Sequence, residues 1–184
     1  MAIAAAKDME LHQIDIKTAF LQGNLEEEVY ICQPPGYENG DPSLACRLHK
    51  ALYGLKQAPR AWHQRLHQEL HKQGFKVSSA DPGLYIKVIN GAYCYLLVYV
   101  DDILVGCIDA TICQSIKDLL LSTFDGRDLG SAESFLGIHI VRDRINRTIK
   151  LCHSRMVSDL VHRFGLENGN ARLLPLTASV HMSA

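Results

Sequence analysis

Short runs of alternating or mostly apolar residues recur along the chain, and runs of about four to eight such residues between turn signals are typical of β-strands. They cover residues 11–16, 84–88, 93–100, 103–105, 135–141 and 148–152. Asn90-Gly91 separates two of these runs and favours a two-residue hairpin turn, because both residues accept a positive φ. Further hairpins join 93–100 to 103–105 and 135–141 to 148–152. The pattern therefore predicts a small antiparallel sheet.

Helical periodicity alternates with these strands. It covers residues 18–21, 59–72, 112–124 and 156–164. The longest helix begins at Pro59, a residue favoured in a first turn, and is stopped by Gly74. Its predicted buried face carries Ala58, Trp62, Leu66 and Leu70. Residues 33–42 are dense in proline and glycine and predict an irregular loop. Helices that cover one face of an antiparallel sheet give an α+β fold with two layers.

Asp101 and Asp102 stand side by side between two apolar runs, which predicts a hairpin whose turn consists of the two aspartates. Adjacent carboxylates repel one another unless a cation lies between them, and a hard ion such as Mg²⁺ needs few protein carboxylates. Asp15, near the end of the first strand, would add a third carboxylate around a shared pair of ions, the geometry used in phosphoryl transfer. Two alternatives stay open: Asp-Asp pairs are common in exposed turns, and Asp15 could simply cap the following helix.

Composition indicates the general class of protein but points to no particular reaction. A chain of 184 residues suits one domain, and 47% hydrophobic residues with a net charge of −1 are typical of a soluble globular protein. The chain contains no apolar run of membrane-spanning length, and its first residues lack the pattern of a signal peptide, so we expect an intracellular protein with no membrane partner. The six cysteines have neither CxxC nor zinc-like spacing and are expected to be reduced and structural.

Charge is unevenly distributed along the chain. Residues 1–50 contain 4 basic and 8 acidic side chains, residues 51–80 contain 5 basic and 1 acidic, and residues 81–110 contain 1 basic and 4 acidic. A basic segment thus lies between acidic ones, and its lysines and arginines could meet phosphates near the acidic site. The alternative is that these side chains only solvate an exposed helix. His63, His67 and His71 recur along that helix and predict a solvated or nucleic-acid-facing surface rather than a zinc site.

Five motifs follow one another along the chain. They are DIKTAFL at 15–21, QPPG at 33–36, ALYGLKQAPRAW at 51–62, YVDD at 99–102 and FLGI at 135–138. In order and spacing they resemble the reverse transcriptases of copia-type LTR retrotransposons over nearly the whole chain. The resemblance implies an RNA-directed DNA polymerase that adds deoxynucleotides to a primer on an RNA or DNA template with two Mg²⁺ ions, or with Mn²⁺. It also implies a polymerase palm, a ferredoxin-like antiparallel sheet with helices on one face, with partial fingers.

Residue by residue, the resemblance implies that Asp15, Asp101 and Asp102 hold the catalytic ions. It makes Phe20 an aromatic gate that rejects a ribose 2′-hydroxyl, although a core aromatic of the short helix is an equal alternative. The other residues implied near the incoming nucleotide are Tyr53, Gly54, Lys56 and Gln57. Residues implied to contact template or primer are Arg60, Phe135, Leu136 and Gly137, the last three as a primer grip. Core and surface roles are the alternatives for these positions. Arg127 stands where the family often has lysine, but arginine is a poor proton donor to pyrophosphate.

The resemblance also sets the expected organisation. One reverse transcriptase domain covers 1–184, with the palm and partial fingers at about 1–165 and a tail toward an absent thumb and connection at about 166–184. Expected partners are primed template, deoxynucleotides and the integrase and ribonuclease H domains of a Pol polyprotein, in a cytoplasmic virus-like particle. The alternative function is a truncated, non-catalytic transposon remnant that folds and binds nucleic acid. A nucleotide cyclase is a more distant alternative, against which the motif at 52–62 argues.

Overall fold

The computed structural model describes residues 1–41 and 43–170, so the end of the predicted loop at Pro42 and most of the predicted tail lie outside the described residues. The helices are α1 (Ala2–Ala6), α2 (Ala58–Lys72), α3 (Ala110–Thr123) and α4 (Ser154–Arg163), with a short 3-10 helix at Ala19–Gln22. The strands are β1 (Glu10–Ile16), β2 (Asn24–Cys32), β3 (Ala45–Lys50), β4 (Lys76–Val77), β5 (Leu84–Ile89), β6 (Ala92–Tyr99), β7 (Asp102–Cys107), β8 (Gly126–Ser131), β9 (Ser134–Phe135), β10 (Ile138–Asp143) and β11 (Thr148–Cys152).

The strands form antiparallel sheets, which agrees with the predicted α+β class. The largest sheet has the order β4-β5-β6-β7-β1-β8, and two smaller sheets have the orders β11-β10-β9 and β2-β3. Strand β1 lies inside the large sheet, between β7 and β8, and pairs with both over most of its length. The first strand of the chain is therefore held in place by segments about a hundred residues further along.

The two faces of the large sheet differ because side chains alternate along each strand. One face is apolar and is covered by α2 and α3. The main core contains Ile14, Ile16, Leu96, Ile103 and Val105 from the sheet, Trp62, Leu66 and Leu70 from α2, and Ile116 and Leu120 from α3. The opposite face carries Gln13, Asp15 and Asp102, and the small sheet of β9 to β11 packs on part of it through Leu104 and Phe135. Helices thus cover the face away from the aspartates.

Several predicted elements are confirmed. Helix α2 buries Ala58, Trp62, Leu66 and Leu70, as the spacing predicts. Its end is closed by Gly74, which adopts φ +82°, while the Phe75 amide donates to the Leu70 carbonyl at 3.0 Å. Asn90 and Gly91 form the predicted two-residue turn, with φ of +51° and +78°. The described part of the predicted loop, residues 33–41, is irregular.

The predicted turn of two aspartates is wrong. Tyr99 pairs with Asp102, so the turn consists of Val100 and Asp101, and Asp102 is the first residue of β7. Pairing with β1 extends the second strand by one residue, because the Asp102 position lies directly opposite Asp15. The two adjacent aspartates therefore do not share the turn, because pairing with β1 places Asp102 in a strand.

The predicted continuous strand over 135–141 is also wrong. Phe135 pairs with Ile138, so Leu136 and Gly137 form a two-residue turn with φ of +52° and +77°. Positive φ at both positions defines a type I′ turn, for which asparagine or aspartate followed by glycine is preferred. The run of apolar residues hid this turn, because leucine rarely adopts a positive φ.

Five elements were missed from the sequence, namely α1, β2, β3, the two-residue β4 and β8. Strand β2 contains three consecutive glutamates and exposes most of its side chains, so no apolar alternation marks it. Strand β8 has the sequence GRDLGS and is an edge strand, whose single pairing partner among the described residues is β1. In both cases backbone pairing with a partner strand, rather than side-chain propensity, produces the strand.

Other expectations concern the thiols and the surface. All six cysteines are free, and Cys94, Cys107 and Cys113 are buried. Helix α4 confirms the predicted last helix, but none of its residues is buried by the described part of the chain, and Met156 and Phe164 are exposed. No helix among the described residues is long and apolar enough to cross a lipid bilayer.

An ion pair between a buried lysine and a partly exposed aspartate ties α3 to β8. Lys117 is 3% exposed, and its Nζ lies 2.6 Å from Oδ2 of Asp128 and 3.1 Å from Nδ1 of His12. Burial acts to raise the pKa of Asp128, but the hydrogen bond and the charge of Lys117, with the Gly130 amide, outweigh it and hold the pKa below its ordinary value. The charged form of Asp128 is therefore stabilised in the folded protein.

Replacing Lys117 with methionine should lower the free energy of unfolding by about 1.5 kcal/mol, because a hydrogen bond between charged groups is lost while water still solvates the partly exposed Asp128 carboxylate. The measurement is urea unfolding at neutral pH. Lys17→Met is the matched control, since Lys17 forms an exposed pair with Asp125 at 3.0 Å, and it should cost about 0.5 kcal/mol.

The pH dependence of this difference has a defined sign. Since the pKa of Asp128 is lowered on folding, its contribution is complete above the ordinary value of 3.8 and is lost as the pH falls through the folded pKa. Equal stabilities of the two lysine variants at neutral pH would contradict a stabilising role for the pair of Lys117 and Asp128.

The two type I′ turns provide a second, opposed pair of variants. Leu136→Asn should raise the free energy of unfolding by about 1 kcal/mol, because asparagine tolerates a positive φ better than leucine. Asn90→Leu should lower it by a similar amount, for the same reason in reverse. Thermal and urea unfolding measure both. A Leu136→Asn variant that is less stable than the wild type would mean that the Leu136 side chain makes a stabilising contact.

Candidate active site

Asp15 and Asp102 lie directly opposite each other on neighbouring strands β1 and β7. The Ile16 amide donates to the Asp101 carbonyl at 2.8 Å, so Ile16 and Asp101 form a hydrogen-bonded pair. The adjacent pair, Asp15 and Asp102, is then of the non-hydrogen-bonded kind, in which Cα atoms are only about 4.5 Å apart. Like charges placed opposite each other in this way are destabilising. The sequence predicted that these carboxylates meet, and the register brings the two together.

Asp101 is held beside this pair by its backbone. Its carbonyl accepts from Ile16, and the carbonyl of the preceding Val100 accepts from Nε1 of the buried Trp62 at 2.6 Å. Val100 adopts φ +54°, a conformation that a β-branched residue rarely adopts and that stores strain. Two hydrogen bonds, one from β1 and one from α2, therefore fix the strained turn that carries Asp101.

The surroundings of the two opposed carboxylates differ. Nε2 of Gln13 donates to Oδ1 of Asp102 at 2.9 Å. Asp15 instead lies opposite Arg127 of β8, whose Nε is 4.0 Å from Oδ2 of Asp15 and whose side chain is 67% exposed. Close approach of β8 at this point requires Gly126, because a Cβ there would come within 2.8 Å of the Asp15 carbonyl oxygen. Asp102 is therefore held by a short hydrogen bond from a neutral amide, whereas Asp15 lies near a charged guanidinium group without a close contact to it.

The donor chemistry of the three aspartates fits a hard divalent cation. Carboxylate oxygens are the ligands that Mg²⁺ prefers, and one or two of them are enough beside water and phosphate oxygens. Within 1–41 and 43–170, no group of three or more histidine, cysteine or acidic side chains is already gathered closely enough to hold an ion. A cation at this site would therefore draw the carboxylates of Asp15, Asp101 and Asp102 together from their positions around the turn.

Phe20 packs between the turn and the segment that precedes α2. Its ring centroid lies 4.7 Å from that of Tyr53, and it contacts both the main core and a smaller cluster around Ala51 and Ala58. Phe20 and Val100 also line one cavity of about 290 Å³. Phe20 is only partly buried, so the predicted gate and core roles both fit its position. Tyr53 is exposed and completes the aromatic pair.

The other predicted site residues of the motif at 51–62 lie at the N-terminal end of α2. Gly54 adopts φ +94° with open space around it, so the backbone is accessible there. Lys56 and Arg60 are exposed, and Gln57 is the residue before the helix. No described side-chain hydrogen bond or ion pair joins these residues to the aspartates. They share one region of the surface with Tyr53, and Phe20 and Trp62 connect that region to the turn.

The Leu136-Gly137 turn is connected to the aspartates through β7. Phe135 is buried against Leu104, which lies two residues after Asp102 and on the same face of the sheet. Leu136 at the tip is 44% exposed although it is apolar. The hairpin therefore stands over the aspartate-bearing face and presents an apolar tip to solvent.

Gln13 and Trp62 are the site residues that sequence reasoning missed. Gln13 lies two positions before Asp15 in an alternating run, so strand period alone places both side chains on one face. Trp62 was predicted as a core residue, and no sequence signal shows that its indole bonds to the turn. Arg127 was noted, but its position opposite Asp15 depends on the unpredicted strand β8.

One family model and three relatives show what this chain is similar to. A family described as "Reverse transcriptase (RNA-dependent DNA polymerase)" matches residues 1–178. A retrovirus-related Pol polyprotein from transposon TNT 1-94 of Nicotiana tabacum is 38% identical over 100% of this chain. A retrovirus-related Pol polyprotein from transposon RE1 of Arabidopsis thaliana is 36% identical, also over 100% of the chain. A Ty1-DR5 Gag-Pol polyprotein of Saccharomyces cerevisiae is 25% identical over 95% of it.

The chain spans 14% and 12% of the length of the two plant polyproteins, so it corresponds to one portion of each. The resemblance inferred from the five motifs is confirmed. The family match covers residues 1–178, and the alignments with the two plant polyproteins cover the whole chain. This chain belongs to the reverse transcriptase (RNA-dependent DNA polymerase) family, as found in the Pol polyproteins of copia-type retrotransposons.

Proposed function

We propose that this chain is the catalytic palm, with part of the fingers, of an RNA-directed DNA polymerase. The observation that carries the proposal is the register that sets Asp15 opposite Asp102, with Asp101 at the adjoining turn. Three carboxylates around one point of a sheet suit two-metal nucleotidyl transfer. The proposed substrates are deoxynucleotides and a primer on an RNA or DNA template.

The topology supports the palm assignment. Strands β6, β7, β1 and β8 are neighbours in that order, α2 and α3 cover one face, and the chain passes β1-α2-β6-β7-α3-β8. This is the order of a ferredoxin-like βαββαβ unit. We assign the β2-β3 sheet to the partial fingers and residues 1–165 to the palm with these fingers. Residues 166–184 are assigned to a tail toward the thumb.

Reverse transcriptases generally use divalent metals, and Asp15, Asp101 and Asp102 would hold two Mg²⁺ ions, or Mn²⁺ in their place. Such ions, when bound, lower the pKa of a hydroxyl nucleophile and offset charge on a leaving pyrophosphate. The protein itself supplies positioning. The Ile16 amide and the Trp62 indole fix the turn that carries Asp101, and Arg127 adds a positive charge beside Asp15.

Other residues are proposed to bind the substrates. Phe20 would lie under the sugar of the incoming nucleotide, supported by its contact with Tyr53. Gly54 would allow close approach, while Lys56 and Gln57 would meet phosphate or base near the same position. Arg60, Phe135, Leu136 and Gly137 would contact template or primer. The proposed wider setting is a Pol polyprotein with integrase and ribonuclease H domains, in a cytoplasmic virus-like particle.

Primer extension tests the polymerase proposal. With poly(rA)·oligo(dT), Mg²⁺ and dTTP, the wild-type chain should extend the primer, and Asp101→Asn should reduce the rate by about 100-fold or more, because several kcal/mol of charge stabilisation are lost. Asp118→Asn is the matched control. Asp118 is exposed on α3 and accepts a hydrogen bond from Gln114 at 2.8 Å, so its replacement should leave the rate unchanged.

Binding of Mn²⁺, measured on the same variants, separates the remaining outcomes. Ion binding that depends on the aspartates, without any extension, would support the alternative of a folded, non-catalytic transposon remnant. Equal Mn²⁺ binding by the wild type and by Asp15, Asp101 and Asp102 variants, without extension, would overturn the proposed metal site.

The Leu136→Asn variant makes a further prediction, in which activity and stability change in opposite directions. If the apolar tip contacts the primer, primer extension should fall, and the Michaelis constant for primer should rise, even though the turn becomes more stable. Asn90→Leu, at the other type I′ turn, should lower stability while leaving the Michaelis constant for primer unchanged. A Leu136→Asn variant with wild-type extension would argue against a primer contact at residue 136.

A further inference from the structure

Gln13 is a buried polar residue beside the proposed metal ligands. It lies on β1, two positions before Asp15 and on the same face, and is only 9% exposed. Its Nε2 donates to Oδ1 of Asp102 at 2.9 Å, from one strand to the next. A buried amide that donates to a carboxylate orders both side chains, because breaking this hydrogen bond would leave the buried amide without a partner.

We propose that Gln13 is a positioning residue for Asp102, which fixes this carboxylate in the orientation required to bind a divalent cation. The inference rests on the proposed function, since it takes Asp102 to be a metal ligand. Gln13 touches neither nucleotide nor primer in this proposal. It acts only through Asp102.

The need for such a residue follows from the register. Asp15 and Asp102 stand in a non-hydrogen-bonded pair, where side chains on neighbouring strands are closest. Mutual repulsion would rotate the two carboxylates apart in the absence of a cation. The hydrogen bond from Gln13 opposes this rotation for Asp102, because it holds one oxygen and leaves Oδ2 available.

The chemistry of glutamine suits this task better than that of a cation. A lysine or arginine in its place would neutralise Asp102 and compete with the metal ion, whereas an amide orients the carboxylate and leaves its charge intact. The contact of Asp15 illustrates the difference, because Arg127 is 67% exposed and 4.0 Å away. One carboxylate is therefore fixed and the other is free to move toward an ion.

Mn²⁺ binding to the full chain, followed by electron paramagnetic resonance, tests the proposal without requiring polymerase activity. Gln13→Met removes the donor at similar volume and without any change in charge. It should weaken Mn²⁺ binding by about 10-fold or more, the usual effect of losing a hydrogen bond to a metal ligand. Gln114→Met is the matched control, because Nε2 of Gln114 donates to Oδ1 of Asp118 at 2.8 Å on the surface of α3. It should bind Mn²⁺ like the wild type.

A second measurement keeps the proposal testable if Gln13→Met folds poorly. In the metal-free wild type, the side-chain amide signals of Gln13 in a ¹H–¹⁵N spectrum should shift on Asp102→Asn, and those of Gln114 should not. Gln13 signals that are unaffected by Asp102→Asn would overturn the proposal, because the hydrogen bond would then be absent in solution.

The binding outcomes separate this inference from the function on which it rests. Loss of Mn²⁺ binding in Asp102→Asn together with weakened binding in a folded Gln13→Met variant supports both. Loss in Asp102→Asn with wild-type binding in Gln13→Met overturns the role of Gln13 and leaves the proposed function standing. Wild-type binding in Asp102→Asn and Asp15→Asn overturns the metal site and the role of Gln13 together.

Discussion

The antiparallel register between β1 and β7 is the constraint on which the candidate site depends. It sets Asp15 opposite Asp102 on one face and Ile14 opposite Ile103 on the other. Because side chains alternate with period two, a slip of one residue would turn Asp15 into the core and an isoleucine out to solvent. Burial of Ile14, Ile16, Ile103 and Val105 beneath α2 and α3 therefore also determines where the carboxylates point. The apolar core specifies the polar site.

The turn after β6 shows how packing maintains an unfavourable backbone. Val100 adopts a positive φ, which is unfavourable for a β-branched residue and would be tolerated better by glycine or asparagine at this position. The Trp62 indole and the Ile16 amide each bind a carbonyl of this turn, and both donors are anchored in buried residues. Strain is therefore balanced by two long-range hydrogen bonds. Such strain is frequently found where a side chain must be held for function.

The Leu136 turn carries a related signature, since an exposed apolar residue occupies a position that favours asparagine. The hairpin is fixed to β7 by contact between Phe135 and Leu104, close in sequence to Asp102. A nucleic acid end held at this tip would be positioned relative to the aspartates by one continuous strand. The same sheet face thus carries Gln13, the carboxylates and the hairpin, while the helices stabilise it from behind.

Local sequence patterns were sufficient to predict much of the fold of this protein. The strands with apolar alternation, the α2 helix with its buried face and the Asn90-Gly91 turn follow from side-chain periodicity and backbone preference, and the five motifs were sufficient to identify the family. Edge strand β8 and glutamate-rich β2 could not be predicted, because pairing with a partner strand, rather than side-chain alternation, creates them. The assignment of Asp102 to a strand, the Leu136 turn and the bonds from Gln13 and Trp62 likewise depend on residues far apart in the chain. The sequence by itself determined the family and the candidate site residues, whereas only the tertiary structure decided which of these residues face each other, since strand register is set by the packing of the whole sheet.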